Sequence, residues 1–392
     1  MAGQTRGSNV KVLVLYDHPA PPGGLATQGE LLYRGLREMG VEAFPANIDS
    51  ALEKEWYYRW LEPDVVVGVG HWGKAPEIIL HPQAFGMTAV PWLVADGFIA
   101  NYHKLLNSLP LILATSGWVR DVYIRDGIRG ELIDVLPVGC NTEEFIPRSR
   151  EDPRVAAARA NFGISPRELM ILTIGGDGAS KGAREMMQAL ARLREEGNSL
   201  PAWKYVCKVW PQERTVRQNQ LDLDLAQELG IREHVEYSMD RVSRDYMPFL
   251  YSACDIYAAP SRLEGFGMPQ VESGACGKPV ISIAAMGMLD TLVHEETALL
   301  ARVAEENYVH DKELGPDSGF PAGTMIHFDP PRIGDYRADV NDLHRFLSRL
   351  MTNPGLREAL GQAGRKRVVE NFDYRIVARK FVEIVTRRLG IA

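Results

Sequence analysis

Residue types able to bind and activate a ligand concentrate in the stretch Pro260–Pro279 (PSRLEGFGMPQVESGACGKP). Two carboxylates, Glu264 and Glu272, stand eight residues apart with glycines between them. Gly265 and Gly267 allow backbone N–H groups to approach a ligand closely. Proline in a first helical turn predicts a helix opening near Met268-Pro269. Glu272 then lies one turn in, while Glu264 stays on the loop. A helix N-terminus with free amides suits a phosphate, and carboxylates suit sugar and ribose hydroxyls. The plain alternative is a glycine turn carrying two solvated glutamates.

Such a loop needs a strand before it and a helix after it, and the sequence supplies that alternation throughout. Apolar, β-branched runs at 11–16, 64–68, 89–94, 111–114 and 133–136 alternate with amphipathic stretches such as Gln28–Met39. After a charged break at Pro147–Pro153 and one more helix, runs recur at 169–174, 204–209, 256–259 and 279–283. This is the pattern of βαβ units, each with a parallel sheet wrapped by helices. Two doubly wound α/β domains facing a central cleft are expected, an N-terminal domain over 1–150 and a C-terminal domain over 151–373. The last helix, within 374–392, either caps the second domain or packs back on the first. Each domain opens with a glycine turn after its first strand, at Gly23-Gly24 and Gly175-Gly176. The stretch 300–337 shows little periodicity and is longer than most loops, so it is either functional or poorly ordered.

Composition narrows the classes. A chain of 392 residues with 45% hydrophobic content exceeds one ordinary core. Its 44 Lys+Arg against 51 Asp+Glu, net −7, is not the basic footprint of a nucleic-acid binder. The four cysteines are widely spaced and read as buried free thiols rather than a disulfide frame or zinc site. The polar first ten residues lack a signal-peptide core, and no apolar stretch reaches the ~18 residues of a membrane span. A soluble cytoplasmic chain with no transmembrane segment is the expectation; its oligomeric state is open.

The whole 260–279 string resembles the E-x7-E signature of retaining glycosyltransferase family 4, which has the GT-B fold. Further segments are similar to that family. Gly175-Gly-Asp-Gly-Ala-Ser-Lys181-Gly182 resembles its G-R-x-x-x-x-K-G loop, Asn141–Pro147 its interdomain D-x-x-x-F-x-P, and Pro22-Gly-Gly24 its N-terminal glycine turn. The resemblance implies a metal-independent, retaining hexose transfer from a UDP- or GDP-linked sugar to a hydroxyl acceptor. No cofactor is then needed beyond that nucleotide-sugar co-substrate. It also implies roles. Glu264 contacts the donor sugar, with Gly265, Phe266, Gly267 and Met268 around sugar and phosphate. Glu272 binds the ribose, Lys181 the diphosphate, and Gly23 and Gly24 face that diphosphate.

Two family residues are replaced here. Gly176 stands at the place of the family arginine, leaving Lys208 or Arg184 as substitutes; Lys208 is favoured because ligands gather at strand ends. Ala95 stands at the place of the family histidine, beside Asp96, which either meets the sugar or acceptor or begins a turn. His71, in a Gly-His-Trp-Gly turn after another strand, is a further candidate, with packing as its alternative. Asp222-Leu-Asp224 has the form of a metal-binding D-x-D, but it sits in a helical pattern whose leucines share a face. The aspartates are therefore expected on a solvated face, and no metal is expected. The acceptor is expected on N-terminal loops 70–76 and 95–104, and to be soluble. A non-catalytic nucleotide-sugar-binding protein is the main alternative, and a phosphorylase or epimerase of the same fold a third.

Overall fold

The computed structural model describes residues 10–197, 200–211 and 213–391, with side chains of 213–215 left aside. The polar segment 1–9 lies outside the described residues. The chain divides into two compact units, Met1–Asn141 with Val309–Arg332 and Asn371–Ala392, and Thr142–Tyr308 with Ile333–Glu370. The first division falls at Asn141, ahead of the charged break from which the sequence reading drew its boundary. Residues 309–332, assigned by sequence to the C-terminal domain, belong to the first unit.

The first unit holds a six-stranded sheet of β1 (Lys11–Tyr16), β2 (Glu42–Asn47), β3 (Val65–His71), β4 (Ala89–Val94), β5 (Ile112–Ala114) and β6 (Ile133–Val135), ordered β2-β1-β3-β4-β5-β6. Every registered pair in it is parallel. Val12 to Leu15 and Val65 to Val67 are fully buried, as continuous apolar runs covered on both faces must be. The C-terminal helix Tyr374–Leu389 packs on the helix Gly24–Glu38 of this unit. Gly35 permits the close approach, since a Cβ there would lie 2.7 Å from that of Ala378. Glu38 accepts from the Tyr374 hydroxyl at 2.7 Å and pairs with Arg375 at 2.8 Å.

The second unit repeats the architecture with β7 (Leu169–Ile174), β8 (Trp203–Lys208), β9 (Val235–Ser238), β10 (Ile256–Ala258), β11 (Val280–Ile283) and β12 (Ala298–Ala301), ordered β12-β11-β10-β7-β8-β9. Its registered pairs are also parallel. The strand order reverses between β7 and β10 here, and between β1 and β3 in the first unit. In open α/β sheets those reversals, at the carboxyl ends of the strands, are where ligands bind.

Three strands without a β-branched run, β2, β9 and β12, escaped the sequence reading, and each lies at a sheet edge. An edge strand has one neighbour to satisfy, so Pro45 in β2 and the helix-prone Ala-Leu-Leu-Ala of β12 are tolerated there. The stretch 300–337 is neither a loop nor poorly ordered: β13 (Val303–Leu314) and β14 (Thr324–Ala338) form a two-stranded ribbon. Of its residues only Phe328 and Ala338 are buried, so neither face carries the apolar alternation that would have announced it. All four cysteines are buried and free, as expected. No helix of the described residues is long and apolar enough to cross a membrane.

Candidate functional site

The loop after β7 and the loop after β10 meet where the strand order of the second unit reverses. The amide of Arg262 donates to the Ser180 carbonyl at 2.9 Å, which stitches the two loops together. Gly182 sits at the contact with a φ of +79°, and a Cβ there would lie 2.3 Å from the Pro260 carbonyl oxygen. Only glycine satisfies both demands. Below, Glu185 receives Arg262 at 2.7 Å and Arg337 at 3.3 Å.

This scaffold brings together two residues 83 positions apart. Lys181 Nζ donates to Glu264 Oε2 at 2.6 Å, with both side chains 17% exposed. Gly175 makes room for the lysine, because a Cβ there would lie 2.4 Å from Lys181 Cγ. The other carboxylate oxygen, Glu264 Oε1, accepts from the Gly267 amide at 3.2 Å. Gly267, at φ +88°, opens the helix Met268–Ala275. Phe266 is buried beside it. Glu272 lies one turn into the helix, where its Oε2 accepts from the Tyr251 hydroxyl at 2.9 Å. Burial pushes the Glu272 carboxyl above the ordinary range, with Arg244 opposing.

Lys208 is the last residue of β8, in register with Ile174 at the end of β7. Its carbonyl accepts from the Gly175 amide at 3.1 Å, so it flanks the same glycine loop as Lys181. Its ammonium lies 5.7 Å from the Trp210 ring centre, and burial lowers its pKa against the pull of Asp240. Gly176 leaves its Cβ position open, and its carbonyl accepts from the Trp210 amide. Lys208, Ser238, Met239, Asp240 and Tyr246 line a cavity of about 610 Å³ at this strand end.

The D-x-D reading needs correction. Asp222 is fully buried, whereas Leu221 is 58% exposed, so the helix Glu213–Glu228 presents an aspartate inward. Asp222 accepts from Arg184 at 2.6 Å, from Gln218 at 3.0 Å and from the Tyr237 hydroxyl at 2.9 Å. A buried carboxylate must be paired, and three donors satisfy it. The same contact holds Arg184. Asp224 is exposed and accepts from Gln220 at 2.8 Å. No group of three potential metal-binding side chains occurs among the described residues.

Sequence reasoning also missed the loop after β11. A Cβ at Gly287 would lie 2.1 Å from the Gly265 carbonyl oxygen, and the Glu264 amide donates to Met286 Sδ at 3.2 Å. Met286 holds a left-handed φ of +58°, a conformation uncommon outside glycine. The signal was a Met-Gly turn directly after a strand.

In the first unit, Gly23 precedes the helix Gly24–Glu38, and its carbonyl accepts from the Thr27 amide. His71 ends β3, and its Nδ1 accepts from the Gly73 amide at 3.1 Å. Burial lowers the His71 pKa, against the opposing pull of Asp96. Asp96 is exposed just beyond β4. A small cavity of about 90 Å³, lined by Tyr16, Asp17, Leu25, His71 and Lys74, lies at the β1/β3 reversal.

With this geometry in hand, comparison with known proteins is informative. Residues 155–311 match the family model "Glycosyl transferases group 1". An MMP α-(1→4)-mannosyltransferase of Mycolicibacterium hassiacum is 27% identical over 295 residues, which are 75% of this chain and 58% of that protein. A D-inositol 3-phosphate glycosyltransferase of a Mycobacterium species (strain KMS) is 33% identical over 156 residues, 40% of this chain and 33% of that protein. The aligned stretches therefore span less than two thirds of these curated relatives. Among solved structures, sucrose-phosphate synthase from Thermosynechococcus elongatus superposes with a TM-score of 0.73 at 17% identity, covering 98% of this chain and 100% of that one. Anabaena HepE in complex with UDP and glucose superposes with a TM-score of 0.68 at 14% identity, covering 96% and 99%. The chain has the GT-B fold, two α/β units each built on a six-stranded parallel sheet.

Proposed function

We propose that this chain is a retaining glycosyltransferase that moves a hexose from a UDP- or GDP-linked sugar to a hydroxyl acceptor without a metal ion. The observation that carries the reading is the Lys181–Glu264 pair at the strand-order reversal of the second unit. Without a donor the two charges neutralise each other. A bound nucleotide sugar offers each a better partner: diphosphate for the ammonium, sugar hydroxyls for the carboxylate. Lys208 follows as the second cation on the same glycine loop, and the cavity beside it has the size for ribose and base. Arg184, held by Asp222, does not serve there. The group-1 match over 155–311 and the names of the two relatives support sugar transfer as the chemistry.

In this reading the acceptor hydroxyl attacks the anomeric carbon on the face from which the diphosphate departs. The C–O bond to phosphate breaks as the new C–O bond forms, and the acceptor proton passes to the departing phosphate oxygen. Lys181 stabilises the charge that develops there. Glu264, with the Gly265–Met268 segment, holds the sugar. Asp222, engaged by three donors, is unavailable as a metal ligand, so activity should persist in EDTA. Asp96 is the polar group offered to the acceptor, with His71 beside it. The test is incubation of the full chain with UDP-glucose, UDP-galactose, GDP-mannose and simple sugars and polyols, with EDTA present, following nucleotide release and the anomeric configuration of the product. Inverted product, or dependence on a divalent ion, refutes the mechanism.

A second reading, a non-catalytic nucleotide-sugar-binding protein, draws on Gly176 and Ala95 standing where the resembling family has arginine and histidine. It predicts UDP or GDP binding by calorimetry with no nucleotide release under any acceptor.

The Glu272 environment yields its own prediction. A folded-state carboxyl raised above its unfolded value favours folding below the unfolded pKa, and that contribution is lost as pH rises through the folded pKa. Glu272→Gln should therefore raise the melting temperature at pH 7 by about 2–4 °C, and the gain should vanish near pH 4. It should also weaken UDP or GDP binding about tenfold, by removing a charged acceptor of the ribose hydroxyls. Thermal melts at the two pH values and isothermal titration check both halves.

A further inference from the structure

The β13/β14 ribbon joins neither sheet, and a two-stranded ribbon has little stability of its own. Packing must hold it, and its distal part packs on two particular loops of the first unit. Leu314 and Phe320 cover the apolar cluster containing Trp72, Ala95 and Ile99. Phe328 meets Phe98 with ring centres 5.0 Å apart, and Arg332 pairs with Asp126 at 2.8 Å. At the tip, Asn101 Nδ2 donates to the Ser318 carbonyl at 3.2 Å.

Two glycines commit the tip to this seat. A Cβ on Gly73 would lie 2.4 Å from the Asp317 carbonyl oxygen, and one on Gly319, at φ +73°, would lie 2.1 Å from the Tyr102 hydroxyl. The loops it touches follow β3 and β4, the strands that end in His71 and run on to Asp96. Asp317 and Asp96 both bear electrostatically on His71.

The charge around this strand end is one-sided. Asp17, Asp96 and Asp317 are exposed, and none is ion-paired among the described residues. Of the bases, Lys74 is paired with Asp49 at 3.3 Å, and burial favours neutral His71. Carboxylates accept hydrogen bonds from neutral hydroxyls, whereas they repel a phosphate.

We infer that the ribbon tip forms part of the acceptor site, and that Asp317 there selects a neutral polyhydroxylated acceptor over a phosphorylated one. The inference rests on the glycosyltransferase reading and on acceptor binding by the first unit. Asp317 acts by binding the acceptor, with no part in the bond-making step.

The test uses the full chain with its working donor and paired acceptors: glucose against glucose 6-phosphate, and myo-inositol against myo-inositol 1-phosphate. Wild type should favour the neutral member by at least tenfold in kcat/KM. Asp317→Lys should raise the KM for neutral acceptors at least fivefold and narrow the neutral-to-phosphorylated ratio at least tenfold, with donor KM unchanged. Asp317→Asn, which keeps the shape, should narrow the ratio less. Glu305→Lys, on the exposed base of the ribbon, should match wild type, which separates a local effect from general ribbon charge. A wild-type preference for the phosphorylated member, or an Asp317→Lys effect that falls equally on both members or on donor KM, overturns the inference. Transfer to none of the acceptors, with UDP or GDP still bound, also overturns it and leaves donor binding standing. Failure to bind either nucleotide sinks the functional reading itself.

Discussion

Lys181→Ala should lower kcat/KM for sugar transfer by about 10²–10³-fold, the loss typical when one preorganised stabiliser of a developing oxyanion is removed. The fall should sit mainly in kcat, since the charge that Lys181 meets grows as the diphosphate leaves. Lys181→Arg should rescue little. The lysine lies flat against Gly175, within reach of where a Cβ would be, and a planar guanidinium has a different shape and reach. Removing the lysine also leaves Glu264, 17% exposed, without its 2.6 Å partner. That loss should cost about 1–3 kcal/mol of stability, read as a lower midpoint in urea. Steady-state kinetics with the working donor is the check, and unchanged turnover would remove Lys181 from the site.

Glu264→Ala should reduce transfer at least as far, but by another route. Glu264 bridges Lys181 and the Gly267 amide, so it shapes the loop as well as receiving the sugar. Glu264→Gln keeps the shape and one acceptor oxygen for the Gly267 amide, turns the oxygen facing Lys181 into an amide donor and loses the charge, which separates these roles. The glutamine variant should bind free UDP or GDP within about threefold of wild type, yet lose about tenfold or more for the complete nucleotide sugar. Paired titrations with nucleotide and nucleotide sugar measure that difference. The two residues are in contact, so Lys181→Ala and Glu264→Ala should be strongly non-additive, the double variant falling little below the worse single one. Additive losses would show that the ion pair is incidental to catalysis.

Much of this site was legible along the chain. The glycines and the two glutamates of 260–279 lie close in sequence, and their conformations are locally set: glycine at φ +88° before a helix that admits proline in its first turn. The buried strands were legible because parallel strands covered on both faces are continuous apolar runs. The edge strands β2, β9 and β12 were not, because one-sided pairing relaxes that demand. Asp222 was misread for a related reason. Helical spacing tells which residues share a face, but not which face turns inward. Here the buried Arg184–Asp222–Tyr237 contact decides it.

The sequence by itself determined the class of fold, the donor signature, and the glycines at which a ligand or a neighbouring loop must come close. Each of these is written in residues a few positions apart, within reach of helix period, turn conformation and strand composition. The tertiary structure alone decided what faces those residues. Sheet order sets β7 beside β10 and so joins Lys181 to Glu264 across 83 positions. It seats Lys208 at the same glycine loop, commits Arg184 to a buried carboxylate, and lays an aperiodic ribbon over the strand ends of the first unit. Side chains brought together by long-range pairing leave no periodic trace in the chain. Their contacts exist only once the order of the strands is settled.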